Sequence, residues 1–324
     1  MKESEEPQIL WHYTSIEAAM NIIKTGTLHA SMIGEMNDAE EGRFPKNYLG
    51  ESIRKYLSVD EEGNDKAIRL VHNGENSYSL QSVFLHEKFN SPDEIRALTA
   101  IKRVCGSTRP FRALHQKESK LHAFACCFSE DRDSLNQWYG YGKGNGVALG
   151  FNITCLKETF EKHGFKLSKV DYCNRYDREL GKEIWERMLV STESAEEILE
   201  KYLETEGAFV KSNIFASERE WRAVRAVNSS CPSDGYSEID FRVKNNRLIP
   251  YVETKLFDSG TTSGIPKIPS LTCVLLGPQN IGQEGWKIFL SQQGYVVGGI
   301  IPPSPMSKPE NYIRLDNSAV PLQS

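Results

Sequence analysis

Cysteine is sparse in this sequence: there are seven, with one adjacent pair (Cys126-Cys127) and no Cys-x-x-Cys anywhere. That excludes a zinc ribbon and a disulfide framework, and leaves reduced thiols in a cytoplasmic protein as the expectation. Long apolar runs are missing too. The longest, such as residues 296–301, are strand-sized, well short of the ~18 residues of a membrane span, so no membrane partner is expected. The leader Met1-Lys2-Glu3-Ser4-Glu5-Glu6 lacks the apolar core of a signal peptide. Nor is there an excess of positive charge. Lys plus Arg number 39 against 44 acids, a net charge of −5, which does not suit a generic polyanion binder. The His and carboxylate spacings match no metal-ligand motif, and no internal repeat is present.

What is present is an ordinary globular composition, 39% apolar and 26% charged over 324 residues. Residues 9–14 read as a strand, and Ser15 stands at an N-cap. Ile16, Ala19, Met20 and Ile23 then keep the rhythm of one buried helix face, and Gly26 stops it. A short strand follows at 27–31. Residues 35–42 read as a polar loop, and about 47–120 as a helical insertion, with Ser91 capping a helix from Pro92. Within it, residues 102–120 carry six Lys and Arg against Glu118 alone, either a solvated loop or a contact for an anionic partner. Further strands are expected at 122–129, 146–151, 166–172, 221–227, 271–276 and 296–301. Helices are expected near 135–139, 155–163, 178–215 and 283–293. Strands spread along the whole chain, with helices in the long connections, imply an α+β class and a single domain over residues 1–324.

Three segments carry polar groups at structurally forced places. His12 lies near the end of an otherwise apolar strand, either as a satisfied core histidine or as a group for a ligand hydroxyl or acid–base work. Phe128-Ser129-Glu130 ends a buried strand, where Ser129 could cap the next helix. Trp138, Tyr139 and Tyr141 follow, either core rings or a stacking wall for a flat heterocycle. The glycine-laden run 140–146 matches no phosphate-loop motif. Third, Ser217-Glu218-Arg219-Glu220-Trp221-Arg222, if extended, puts Glu218, Glu220 and Arg222 on one face. They form either a surface ion-pair ladder or a site. The combination of carboxylates at a strand start and a histidine, His12, on another strand suits the stabilisation of an oxocarbenium-like sugar transition state.

Trp11-His12-Tyr13-Thr14-Ser15, Asn37-Asp38, Cys127-Phe128-Ser129, Trp138-x-x-Tyr141, residues 146–151, Glu218-x-Glu220-x-Arg222, Leu275-Leu276-Gly277-Pro278 and residues 300–303 together resemble a widespread, uncharacterised bacterial domain-of-unknown-function family, often found among phage-defence genes. That family is similar to the ADP-ribosyltransferases, whose fold is a split β-sandwich. The resemblance implies an NAD-dependent mono-ADP-ribosyltransferase with NAD as substrate and no metal. It would modify a nucleic acid or protein as an intracellular toxin or antiphage effector, with a possible antitoxin or defence-system partner. Carried over by position, His12 would contact ribose hydroxyls, the Tyr13 backbone would hold the nicotinamide amide and Thr14 would support that strand end. Ser129 would stand in the serine motif, beside Trp138, and Tyr139 or Tyr141 would stack on nicotinamide. Glu220, with Arg222 on its strand face, would bind the ribose 2′-hydroxyl and stabilise the oxocarbenium, and Glu218 would orient the acceptor. The alternatives are NAD hydrolysis and a non-catalytic nucleotide- or phage-sensing module.

Overall fold

The computed structural model describes residues 6–36, 44–57, 69–72, 78–81, 86–88, 91–105, 121–228, 238–244, 246–257, 268–280, 282–298 and 311–320. Asn37-Asp38, residues 106–120 of the basic stretch and the motif at 300–303 lie outside these. The chain opens as expected with β1 (Ile9–Thr14), α1 (Ile16–Thr25) and β2 (Thr27–Met32). Ser15 Oγ accepts from the Ala18 N–H at 3.2 Å, and Gly26 ends the helix at φ 65°, a conformation glycine adopts without a Cβ penalty. Ala19, Ile22 and Ile23 bury, while Ile16 stays exposed.

Within the segment expected at about 47–120 to be a helical insertion, the described residues open and close on helices. These are α2 (Phe44–Leu57) and α3 (Pro92–Val104), the latter capped by Ser91 and Glu94 in a reciprocal box. The described residues between them instead form a three-stranded antiparallel sheet, β3 (Arg69–His72), β4 (Tyr78–Gln81) and β5 (His86–Lys88). Then come β6 (Leu121–Ser129), a single turn α4 (Leu135–Gln137) running into a π-turn at 138–142, β7 (Val147–Asn152) and α5 (Ile153–Lys162). The single strand expected at 166–172 is two, β8 (Lys166–Lys169) and β9 (Asp171–Cys173). The helix expected at 178–215 is α6 (Arg178–Val190), α7 (Ala195–Glu204) and then β10 (Val210–Ser212). The chain continues with β11 (Glu220–Asn228), β12 (Ile239–Lys244), β13 (Arg247–Lys255), β14 (Leu271–Leu276), α8 (Gln283–Gln292), β15 (Val296–Gly298) and β16 (Tyr312–Asn317).

The class is α+β, built on a large mixed sheet ordered β12-β13-β2-β6-β1-β7-β14-β16-β15, with β11 and β8 added beside β6. β6 is the shared strand. β11 pairs with it along its whole length, from Glu220 opposite Ser129 to Asn228 opposite Leu121. Its other edge is divided: Ser31 and Met32 of β2 pair with Ala125 and Phe124, while Trp11 of β1 pairs with Ser129. β1 and β2 are both antiparallel to β6, so they part company beside Cys127 and the sheet splits there.

One face of the sheet carries Leu10, Phe124, Phe128, Leu149, Phe151, Trp221 and Ala223, packed against Ile23, Leu156, Phe160 and Leu290 of the covering helices. The other face carries Trp11, Tyr13, Ala148, Cys273 and Leu275 around Trp138. A second core joins α2, α3, α6 and α7 through Leu49, Ile53, Leu98, Ile184, Trp185, Met188, Ile198 and Leu199. Leu180, Ile184 and Met188 of α6 and Ala195, Ile198, Leu199 and Tyr202 of α7, each set at helical spacing, lie in it or against it.

Two of these helices touch at backbone distance. A Cβ built on Gly181 would stand 2.1 Å from the Ser52 carbonyl oxygen, and Ser52 Oγ also accepts from the Asp177 N–H that precedes α6. Gly181→Ala therefore pushes α2 and α6 apart, and a loss of about 1–3 kcal/mol is expected in urea unfolding. An unchanged midpoint would contradict this packing.

Candidate active site

The candidate site is built where β11 begins. Glu218 ends a short 3₁₀ turn, and Arg219 adopts φ 45°, a left-handed conformation unusual for a residue with a side chain. That kink is held from outside by the Arg219 guanidinium, whose Nε reaches Glu130 at 3.0 Å and whose Nη1 reaches Asp131 at 2.9 Å. It is also held through the backbone, where the Glu130 N–H donates to the Arg219 carbonyl. Beyond the kink, Glu220 and Arg222 share the sheet face of Ser129 and Cys127, their partners on β6.

Both groups are buried. Arg222 is 1% exposed and Glu220 4%, so the surface-ladder alternative is set aside. Arg222 Nε and Nη2 grip Glu220 at 2.8 and 3.1 Å, and Nη1 donates to the Ala208 carbonyl at 2.8 Å. Lys211 of β10, 4% exposed, bridges the two acids: Nζ stands 2.7 Å from Glu218 and 3.2 Å from Glu220, and 4.7 Å from the Phe215 ring centroid. Glu220, Arg222 and Lys211 thus enter the interior together, with Glu218 at their open edge, and opposite charges meet there as buried ions require.

Burial alone would raise the Glu220 pKa. Arg222 and Lys211, with the hydrogen bond from the Cys127 thiol, outweigh it and bring it down to about 2. The carboxylate is therefore ionised across the ordinary pH range. Three N–H donors and the thiol use the roughly four acceptor positions of a carboxylate, and the S–H is the weakest of them. Glu218, with its side chain 21% exposed, is the more open acid.

Two phenols complete the cluster. The Glu220 N–H donates to Tyr172 Oη at 2.8 Å; burial first, then the charges of Glu220 and Glu218, push that phenol up to about 12. Tyr141, on the π-turn, is raised by burial and by the neighbouring Cys127, Glu218 and Glu220.

The structure thus brings Glu218, Glu220, Arg222 and Tyr141 together, and adds Lys211, Tyr172 and the Cys127 thiol. Other residues named from the sequence are occupied elsewhere. Ser129 Oγ donates to the Glu218 carbonyl and accepts from the Asp131 N–H, fixing the turn rather than capping a helix. Tyr13 Oη donates to the Asp131 carbonyl and accepts from the Ser134 N–H, and its ring stands edge-on to Trp138. Trp138 is fully buried with Nε1 on Asp133, so it is a core ring, whereas Tyr139 is 60% exposed. The Thr14 carbonyl is packed closely against Gly146.

His12 is placed differently from the carboxylates. Strand alternation directs it to the side of Leu149, its β7 partner, and its ring lies 5.6 Å from that of Phe128, on the opposite sheet face from Glu220. Its Nδ1 is 2.9 Å from the Cys127 carbonyl on β6, just where β1 and β2 diverge. Burial first, and also the charge of Arg242, lower its pKa; the neutral ring donates from Nδ1 and keeps a lone pair on Nε2. His12 and Glu220 thus meet Cys127 from its two sides, one at the carbonyl and one at the thiol.

Among the described residues no group of His, Cys, Asp and Glu could hold a metal ion, and no helix is long and apolar enough to cross a membrane.

Removing one partner from the quartet leaves buried charge uncompensated. Arg222→Met should cost about 3–5 kcal/mol in urea unfolding, against less than about 1 kcal/mol for an exposed pair such as Lys287→Met beside Glu284. A change below about 1 kcal/mol for Arg222→Met would contradict the burial. Because the folded pKa of Glu220 lies below its unfolded value, its contribution is complete above about pH 4.5 and is lost as pH falls toward 2. In Glu220→Gln that acid-side loss should shrink, measurable as chemical stability against pH; an identical profile would contradict the assignment.

No curated protein and no solved structure matches this chain. Residues 137–223, which hold Tyr141, Tyr172, Lys211, Glu218, Glu220 and Arg222, match the profile of a family described as protein of unknown function, DUF2971.

Proposed function

We propose that the chain cleaves NAD and transfers its ADP-ribosyl group to a macromolecular acceptor. The observation that carries the reading is the ionised Glu220 at the start of β11, with Glu218 two residues before it and Lys211 bridging the pair. The division of the sheet at Cys127 is in keeping with the split sandwich of the ADP-ribosyltransferases.

In this reading the bond from the ribose C1′ to the nicotinamide nitrogen breaks, and nicotinamide leaves as a neutral base with the bonding pair. Positive charge then spreads over C1′ and the ring oxygen. A fixed carboxylate nearby is stronger there than in water, because its environment is already organised. Glu220 would take the ribose 2′-hydroxyl in place of the weak Cys127 S–H donor. The half-open Glu218 would face the acceptor, whose nucleophilic atom bonds to C1′ and passes its proton to the Glu218 carboxylate. Tyr141 supplies an aromatic ring beside both acids, and Lys211 and Arg222 keep the carboxylates ionised and in position. His12, on the opposite sheet face with its Nδ1 at the Cys127 carbonyl, takes no part in this step.

A binding module without turnover is the second reading, favoured by the saturation of Glu220. The two separate on nicotinamide release from labelled NAD, with and without cell extract. The wild type should release nicotinamide and label an acceptor, and Glu218→Gln, which leaves the buried pair intact, should lower labelling by about a hundredfold or more. Glu220→Gln should abolish release while remaining folded by circular dichroism. Nicotinamide release that is absent from the wild type, or equal in all three proteins, would overturn the proposal; free ADP-ribose without a labelled acceptor would replace transfer by hydrolysis.

A further inference from the structure

On the far side of the split, β2, β13 and β12 carry a second polar cluster. Register puts Ser31 opposite Tyr251, Tyr251 opposite Asp240, and His29 opposite Glu253. The two-residue period sets Asp240, Arg242 and Lys244 on one face of β12. The His29 ring is stacked on Tyr251 with centroids 4.1 Å apart, and the Arg242 guanidinium lies 5.7 Å over the same ring. Arg242 Nη2 donates to Ser31 Oγ at 2.7 Å, so the guanidinium is held in one place.

The acids nearby are already engaged. Asp240 accepts from Tyr251 Oη at 2.9 Å and from the Phe241 N–H at 2.7 Å, and Glu253 stands 3.6 Å from His29 Nε2. Among the described residues neither Arg242 nor Lys244 has an ion-pair partner, and the buried Arg242 Nε has no hydrogen-bond partner. Lys143 joins them from the turn that carries Tyr141. Its φ of 48° marks the end of the π-turn, and its charge, with that of Arg242, bears on Lys244. Arg242 also bears on His12 and Cys126 at the split.

Among the described residues these three cations have no counter-ion, and the half-buried Arg242, with its Nε unpaired, gains most from an anion. A guanidinium held edgewise by a serine and two mobile ammonium groups suit phosphate oxygens, the fork for planar recognition and the lysines as point charges. We propose that Arg242, Lys244 and Lys143 bind the diphosphate of a nucleotide ligand. The phosphate site stands on this cluster alone; that its ligand is a dinucleotide diphosphate rests on the NAD reading. Tyr141 and Lys143 are two residues apart, at most about 7 Å of chain. One turn therefore reaches the carboxylates with the first and the cations with the second.

The test is calorimetric titration of the full chain with inorganic pyrophosphate, ADP-ribose and a single-stranded oligonucleotide, using wild type, Arg242→Gln and the double variant Lys143→Gln/Lys244→Gln. Both lysines are exposed, so the double variant should melt like wild type. Pyrophosphate and ADP-ribose should bind the wild type, each about tenfold or more weaker in both variants and weaker with added salt. No pyrophosphate binding, or equal affinity in all three proteins, would overturn the site. Lysine-dependent pyrophosphate binding without nicotinamide release would keep the site and discard the NAD reading. Release with an unchanged KM in the double variant would do the reverse. Tighter lysine-dependent binding of the oligonucleotide than of ADP-ribose would overturn the nucleotide assignment.

Discussion

Glu220 and Arg222 stand two residues apart on one strand and grip each other inside the protein, with Lys211 arriving from β10 to balance Glu218. None of these four could be buried alone, since an isolated ion loses several kcal/mol of hydration that only an opposite charge and full hydrogen bonding return. Much of the local architecture follows from that requirement. The chain must turn sharply at Arg219 for Glu218 to face Lys211, and the left-handed residue there is restrained by Glu130 and Asp131. The short parallel pair of β9 and β10 places Lys211 and lets Tyr172 receive the Glu220 N–H.

The second constraint is geometric. β6 offers one edge to β11 and shares the other between β1 and β2, so an acidic cluster and a cationic one lie on strands to either side of a single strand. Cys127 is the hinge of this arrangement, its thiol on Glu220 and its carbonyl on His12. In the proposed reading, an elongated ligand would lie across the turn that carries Tyr141 and Lys143, with its sugar at the acids and its phosphates at the cations.

The sequence was legible where short-range physics decides. Ser15 and Gly26 bracket α1, Ser91 opens α3, and the stripes of α6 and α7 are core, because caps and periodicity need no distant partner. Glu218, Glu220 and Arg222 were visible as charges too close together for an apolar strand. Lys211 was not, because a lysine in Val210-Lys211-Ser212 looks like any edge residue until its acids are placed around it. Nor was the hairpin of β12 and β13, whose outward Phe241, Val243 and Leu248 blur the apolar alternation. The side chains of Ser129, Tyr13 and Trp138, named for a ligand by the resemblance, bond to neighbours within the fold. Whether a hydroxyl or ring is spent on the backbone is a tertiary fact. The side to which His12 points depends on register with β7, which no local pattern encodes.

The most direct measurement is the crystal structure of the protein with ADP-ribose bound. The account predicts a ribose hydroxyl within hydrogen-bond distance of the Glu220 or Glu218 carboxylate, with the Cys127 thiol displaced, and the diphosphate against Arg242 and Lys244. A ligand bound elsewhere, with all four members of the quartet still bonded only to one another, would contradict it.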